Sequence, residues 1–447
     1  MEKQTNFFQS NTAKIIVIGL LTLVLLVPLQ LVKSLIEERS QRQKEVVAET
    51  SNKWGESIHF YGPILKVPYQ SYSEEFVIDP ATNKQVKTRK AEIKIAYFFP
   101  EELKNKSKVT MAKPLERSLY KSNVFSAEMN FEGHYIRPDF KKNSTPDEDI
   151  LWDKATVMIR TTNLKSIKSQ VTVKLGTNSY RMEPTQNTDS DSIAFLETGV
   201  VDLQNLIDNR KLDFNFNINY NGSKSLYIAP IGKTTTAKIA SNWHSPSFMG
   251  NYLPNEKNKV VNDQGFNAEW EVLHLNRPFA QQSFDSFPNL KPYTFGVDFI
   301  TPVDEYQQNE RASKYGFLMI GLTFLIFFLI QSISKISIHI FQYSMIGLAL
   351  IMFYTLLISI TEHSSFTLAY LVAGASVVVL ISLYSISILK NKKFPAFIGI
   401  SLTGLYTFIF VIIQMEDYAL LVGSIGLFLI LAAVMYFSRK IDWSTTN

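Results

Sequence analysis

The chain has 447 residues, with 45 Lys and Arg against 40 Asp and Glu and a formal net charge of +5, spread too evenly to form a nucleic-acid-binding patch. It contains no cysteine, which excludes disulfides, thiolate metal sites and thiol nucleophiles, and its six histidines argue against a multi-histidine metal centre. A mean hydropathy near zero averages a mostly polar middle with an apolar C-terminal end, and the length leaves room for two or three domains.

Residues 1–14 are polar and carry Lys3 and Lys14. Residues 15–32 (IIVIGLLTLVLLVPLQLV) form an apolar run. As a helix rising ~1.5 Å per residue it nearly crosses a ~30 Å hydrocarbon core. No small-x-small cleavage site follows, so an uncleaved transmembrane anchor is expected rather than a signal peptide. Residues 33–56 have helix-forming composition, but Leu35, Ile36, Val46 and Val47 are too sparse for a buried helix. A charged helical stalk continuing the anchor is expected.

From residue 57 the period becomes two. Ile93, Ile95, Tyr97 and Phe99 alternate with Glu92, Lys94, Ala96 and Phe98. Leu212, Phe214, Phe216, Ile218 and Tyr220 alternate with Asp213, Asn215, Asn217 and Asn219, the pattern of a strand with one buried face. Shorter strands are expected at 156–161, 170–175, 226–231 and 294–300, with one short helix at 202–210 and prolines as punctuation. Residues 57–311 therefore read as an extracytoplasmic, β-rich domain.

Residues 315–437 read as a five-helix membrane block, with spans at 315–330, 340–360, 366–389, 394–414 and 418–437, and residues 438–447 as a tail. The spans lack the polar stripes of a soluble helical core. The fold class is thus membrane α plus an all-β-rich domain, with six transmembrane helices, one N-terminal and five C-terminal. Orientation follows from Lys and Arg in short loops. One side would carry eight: Lys3, Lys14, Lys335, Lys390, Lys392, Lys393, Arg439 and Lys440. The opposite turns, 361–365 and 415–417, carry none and hold Glu362, Glu416 and Asp417. Both termini are expected in the cytoplasm and residues 33–314 outside.

Several stretches resemble the CreD family of inner-membrane proteins. Tyr61–Pro68 (YGPILKVP) resembles its GP-x-L-x-x-P strand entry. Ser241–Pro254 (SNWHSPSFMGNYLP) resembles its SNW-x-x-PSF-x-G-x-x-LP signature, with Gly265, Phe266 and Trp270 following. Pro302–Gln307, Arg311–Ala312, Lys314–Tyr315, Glu362–His363 and Arg439–Trp443 match later landmarks. The resemblance implies an inner-membrane protein of cell-envelope integrity and envelope stress, and it carries over no catalytic residue.

Two constellations stand out. Trp243, His244, Phe248, Tyr252 and Trp270 concentrate aromatics, either as a ligand or headgroup-level surface or as a rigid turn packing the core. Glu362, His363, Glu416 and Asp417 share one expected depth in the outer turns, either as a proton or cation relay or as ordinary turn charge. No catalytic or metal-site motif is present and no cofactor is expected. The six spans contain no central Asp, Glu, Lys or Arg, which disfavours ion transport. Ala369 and Ala373 suit helix packing. Three functions follow in order: a non-enzymatic envelope-integrity protein whose β domain binds an envelope component or partner protein, a transporter or lipid-handling protein, and a membrane-tethered hydrolase. The lipid bilayer is the one partner all three share. The charged connector 302–315 is expected to bring Arg311 and Lys314 to the acidic outer turns. Reporter fusions at Asn143 and Lys392 are expected to report opposite compartments; the same compartment for both would refute this topology.

Overall fold

A computed structural model of the chain describes residues 11–78, 85–185, 194–209, 211–284, 286–299, 305–334, 336–389, 393–415 and 418–439. The chain divides into two compact units, Met1–Glu45 with Val303–Asn447, and Val46–Pro302. The described α-helices are α1 (Asn11–Trp54), α2 (Gln204–Asn209), α3 (Glu305–Lys314), α4 (Gly316–Ser334), α5 (Ile340–Thr361), α6 (Phe366–Leu389), α7 (Lys393–Gln414) and α8 (Ala419–Ser438). Six of them, α1 and α4 to α8, are long and apolar enough to cross a membrane.

In hydrocarbon the backbone must bond to itself, so uncharged Leu, Ile, Val and Phe runs of this length form helices. Lipid offers no hydrophobic drive between helices, so close approach depends on small residues. A Cβ at Gly316 would lie 2.8 Å from Leu29 of α1, and one at Gly347 would fall on Leu25. These two notches seat α1 against α4 and α5. On α6, Ala369 and Ala373 are fully buried. Phe353 meets Tyr370 and Tyr406 edge-on at 5.2 and 4.8 Å, and the Tyr370 hydroxyl donates to the Tyr406 carbonyl at 2.9 Å. Helix α8, in contrast, has no buried residue. Residue 311, the expected end of the β domain, lies inside α3, a helix that belongs with this unit and buries Tyr306 and Ala312.

The stalk reading needs amendment. Residues 33–54 continue α1 without a break, yet one stripe of that stretch is buried at Ile36, Ser40, Val46 and Ser51. Two of the four are serines, too small and polar to stand out in a hydrophobic pattern.

The second unit opens with β1 (Ile58–Ile78), β2 (Gln85–Phe98), β3 (Glu102–Met111), β4 (Leu115–Arg117), β5 (Tyr120–Ser122) and β6 (Phe125–Ile136). β7 (Thr156–Thr161), β8 (Thr172–Leu175), β9 (Asn178–Thr185), β10 (Ala194–Thr198), β11 (Lys211–Gly222) and β12 (Ser225–Ile228) follow. β13 (Thr234–Ser241), β14 (Ser247–Gly250), β15 (Val260–Asn262), β16 (Gly265–Leu273), β17 (Gln282–Phe284) and β18 (Phe295–Asp298) complete it. Among the described residues β4 and β5 pair with each other, and the other strands form one sheet. Its path is β14-β18-β12-β1-β7-β10-β9-β8-β11-β6-β3-β13-β16-β15, with β2 and β17 branching from β1. The pairs β1–β12 and β3–β13 are parallel. The path folds over itself: Phe60 of β1 stacks on Phe131 of β6 at 4.3 Å, and Phe131 on Phe216 of β11 at 4.9 Å.

Leu212, Phe214, Phe216, Ile218 and Tyr220 are all buried, as their alternation predicts. In β2 the alternation does not separate core from surface, and Phe99, just past its end, is buried. Ala96 and Phe98 face the core, Ile93 is exposed, and Tyr97 packs from the other side onto Phe287 at 5.2 Å. With apolar residues on both faces a period of two does not say which face is inward. The short helix forms as α2, with Asp202 Oδ1 accepting from the Gln204 amide at 2.9 Å. Phe60→Ala is expected to cost ~3–5 kcal/mol. The readout is the denaturation midpoint by tryptophan fluorescence, since Trp54, Trp152, Trp243 and Trp270 lie in this unit. Outward-facing Asn215→Ala should stay within ~0.5 kcal/mol of the parent.

Candidate functional site

The aromatic motif lies where the two ends of the sheet meet. β13 ends at Ser241, beside β16 at one end of the path, and β14 begins at Ser247 at the opposite end. Residues 242–246 carry the chain between them, and their polar side chains fix the crossing. Asn242 Oδ1 accepts from the Met111 amide at 2.8 Å, which ties the loop to the end of β3. The Trp243 indole donates to the Ser245 carbonyl at 2.8 Å. Gly250 follows at φ +101°, and a Cβ there would fall on the Thr294 carbonyl, so this close approach to β18 requires glycine.

Trp270 of β16 is fully buried, stacked on Phe295 of β18 at 5.4 Å, with its indole donating to the Tyr252 carbonyl at 3.1 Å. Phe248 of β14 meets Trp270 and Phe266 at 5.8 and 5.7 Å. Trp243, Phe248 and Tyr252 are half-buried against the core, and His244 is exposed, 5.1 Å from the Trp243 ring. The five predicted residues are therefore brought together, with Trp270 as floor and His244 as rim. Around them large apolar side chains face outward: Met249, Leu253 at 74% exposure, Val260 of β15, and Leu275 at 79%. Leu253 and Leu275 flank a hydrogen bond from the Tyr252 hydroxyl to the Asn276 carbonyl, 3.0 Å long.

The outer-turn cluster is only partly described. Glu416 and Asp417 lie outside the described residues. Glu362 is met by Arg39 of α1, Nε to Oε1 3.5 Å, rather than by Arg311 or Lys314. Sequence distance hides such a pair, because nothing local links residue 39 to residue 362.

Two further constellations carry no motif and escape a reading of the sequence. His59 of β1 stacks on Tyr227 of β12 at 4.9 Å, and the Tyr227 hydroxyl donates to Asp298 Oδ1 at 2.6 Å. Burial, then the bond to Asp298, holds the Tyr227 phenol well above its usual range. His59 Nδ1 is buried without a partner among the described residues. Burial first, then Lys291, holds its imidazole below the usual range, with Asp298 pulling the other way. The second constellation is a pair of arginines. Arg160 lies between the rings of Phe195 and Phe287 at 4.9 and 4.4 Å. Buried Arg277 donates to the carbonyls of Phe279 and Ile231 at 2.7 and 3.2 Å and to Gln281. Its burial brings the guanidinium pKa down to about 10. Through its bonds to the Phe279 and Ile231 carbonyls, Arg277 pins the β16–β17 connection.

In the membrane unit, α4, α7 and α8 line a half-open apolar crevice of about 810 Å³ with Lys393 at one end.

A family model described as Inner membrane protein CreD matches residues 10–444. The Inner membrane protein CreD of Escherichia coli (strain K12) is 26% identical over 428 residues, covering 94% of this chain and 91% of that relative. A solved structure of a candidate nutrient-binding protein from Legionella pneumophila overlaps 51% of this chain and 77% of its own. At 7% identity and a TM-score of 0.23 that likeness carries no argument.

His59 makes the β unit sensitive to acid with a definite sign. Its folded pKa lies below the unfolded value of ~6.5, so its contribution is complete above that pH and is lost as pH falls toward the folded value. Unfolding midpoints of the parent should drop between pH 7 and pH 5. His59→Phe, which keeps a ring against Tyr227, should flatten that slope; an unchanged slope would assign the acid sensitivity elsewhere.

Proposed function

The chain belongs to the CreD family of inner membrane proteins, and from that premise we propose that it supports cell-envelope integrity through binding rather than catalysis. In this reading the spans place both termini in the cytoplasm and the β unit in the periplasm, where the face around Tyr252 binds an apolar part of an envelope component or partner. Its support is the construction of the 242–254 crossover. The rings there hold the sheet together, and Met249 and Leu253 are left outward on that fixed base. Large apolar side chains held outward on a rigid support suit a contact surface. His244 stands at the rim with the Trp243 ring as its neighbour. The Lys and Arg bias of the short loops supports the orientation.

The experiment is complementation of a deletion strain challenged with membrane-active detergent. The full chain should restore survival. The double variant Met249→Ser and Leu253→Ser, at normal protein level and with an unchanged unfolding midpoint, should not. Full rescue by the double variant would remove this face from the function.

A further inference from the structure

We propose that Met249 is an oxidation switch on the contact face. A two-electron oxidant of the hypochlorous acid class converts its thioether to the sulfoxide, and the face then releases its apolar partner. The proposal rests on the function given above for that face. Its starting point is the distribution of sulfur. The chain has no cysteine, so no thiol stands ahead of methionine as a target. In the β unit Met129, Met158 and Met182 are 0%, 4% and 5% exposed and Met111 is half-buried against the core, whereas Met249 is 47% exposed. Susceptibility to such oxidants follows exposure.

That exposure is built into the sheet. β14 ends its strand path, so no further strand flanks Met249 on one side. On the other side the register sets it opposite Gly296 of β18, which has no side chain to lay over the sulfur. A larger residue does not fit there, because a Cβ at Gly296 would fall on the Leu226 carbonyl. Phe248, one residue earlier, turns to the rings of Trp270 and Phe266, and strand alternation sends Met249 to the opposite face. In the reaction the O–Cl bond breaks and an S–O bond forms. Sulfur loses two electrons, chlorine gains them and leaves as chloride, and a proton is released. The product is polar where the thioether was apolar, and an apolar partner would have to bury its oxygen without a hydrogen bond. Leu253, Val260 and Leu275 beside it carry only hydrocarbon and have no such chemistry. A methionine sulfoxide reductase, with two electrons and two protons from a thiol pair, removes the oxygen as water and restores the face.

The full chain in detergent micelles is treated with substoichiometric hypochlorous acid, and its peptides are mapped by mass spectrometry. Met249 should reach the sulfoxide about tenfold ahead of Met129, Met158 and Met182, and reductases for both sulfoxide epimers should reverse it. In a deletion strain, each transformant is pulsed with the oxidant, challenged with membrane-active detergent and scored against its own untreated culture. The parent should lose survival, and Met249→Leu, with no sulfur at that position, should lose less. Met249→Gln, a neutral polar stand-in for the sulfoxide, should fail without any oxidant. Oxidation of Met129, Met158 and Met182 as fast as Met249, or equal losses for the parent and Met249→Leu, would overturn the switch. If Met249→Gln complements while the double variant Met249→Ser and Leu253→Ser fails, the switch is wrong and the face stands. If both complement, the face itself falls, and the switch with it.

Discussion

The β unit depends on how the two ends of a long strand path are held together. Strands β14 and β15 terminate the path and do not hydrogen-bond to each other. What joins the ends is side-chain packing: Trp270 from β16 against Phe295 from β18, with Phe248 from β14 on top. An indole without exposure, its one donor given to the Tyr252 carbonyl, meets the requirement that buried polar groups be paired. It also contributes the large apolar area that aromatic rings bring to a core. The crossover 242–246 is short, so the ends must already lie close for the chain to pass between them.

The membrane unit follows a different rule. Its helices gain little from burying apolar surface out of lipid, so fit decides. Gly316 and Gly347 admit Leu29 and Leu25 of α1, and the Tyr370 and Tyr343 hydroxyls donate to neighbouring spans. Arg39 and Glu362 add a pair between α1 and the end of α5. With Arg39 half open to solvent, that pair orients the helix more than it stabilises it, since exposed pairs contribute ~0–1 kcal/mol. Helix α8 is the exception to tight fit, and the crevice lies along it.

Much of this was legible in the sequence because it is local. Apolar runs marked six helices, the five C-terminal ones within a few residues of their ends, and alternation marked β11 and its inward face. The SNW segment was visible as a concentration of rings, but whether they were surface or core was not. That answer depends on β14 and β16 arriving from opposite ends of the path, a non-local fact that no spacing encodes. The same reason hid β1–β12 pairing, the Arg39–Glu362 contact and the crevice. The inward face of β2 was hidden for another cause, since Tyr97 and Phe98 are both apolar enough to be covered and neither face announces itself.

The most direct measurement of the closure is amide hydrogen exchange on the full chain carrying Trp270→Ala. If Trp270 holds the two ends as one cooperative unit, amides of β14, β18, β15 and β16 should lose protection together while β7 to β10 keep theirs. Loss confined to β16, with β14 and β18 protected as in the parent, would contradict it and leave Trp270 as an ordinary core residue.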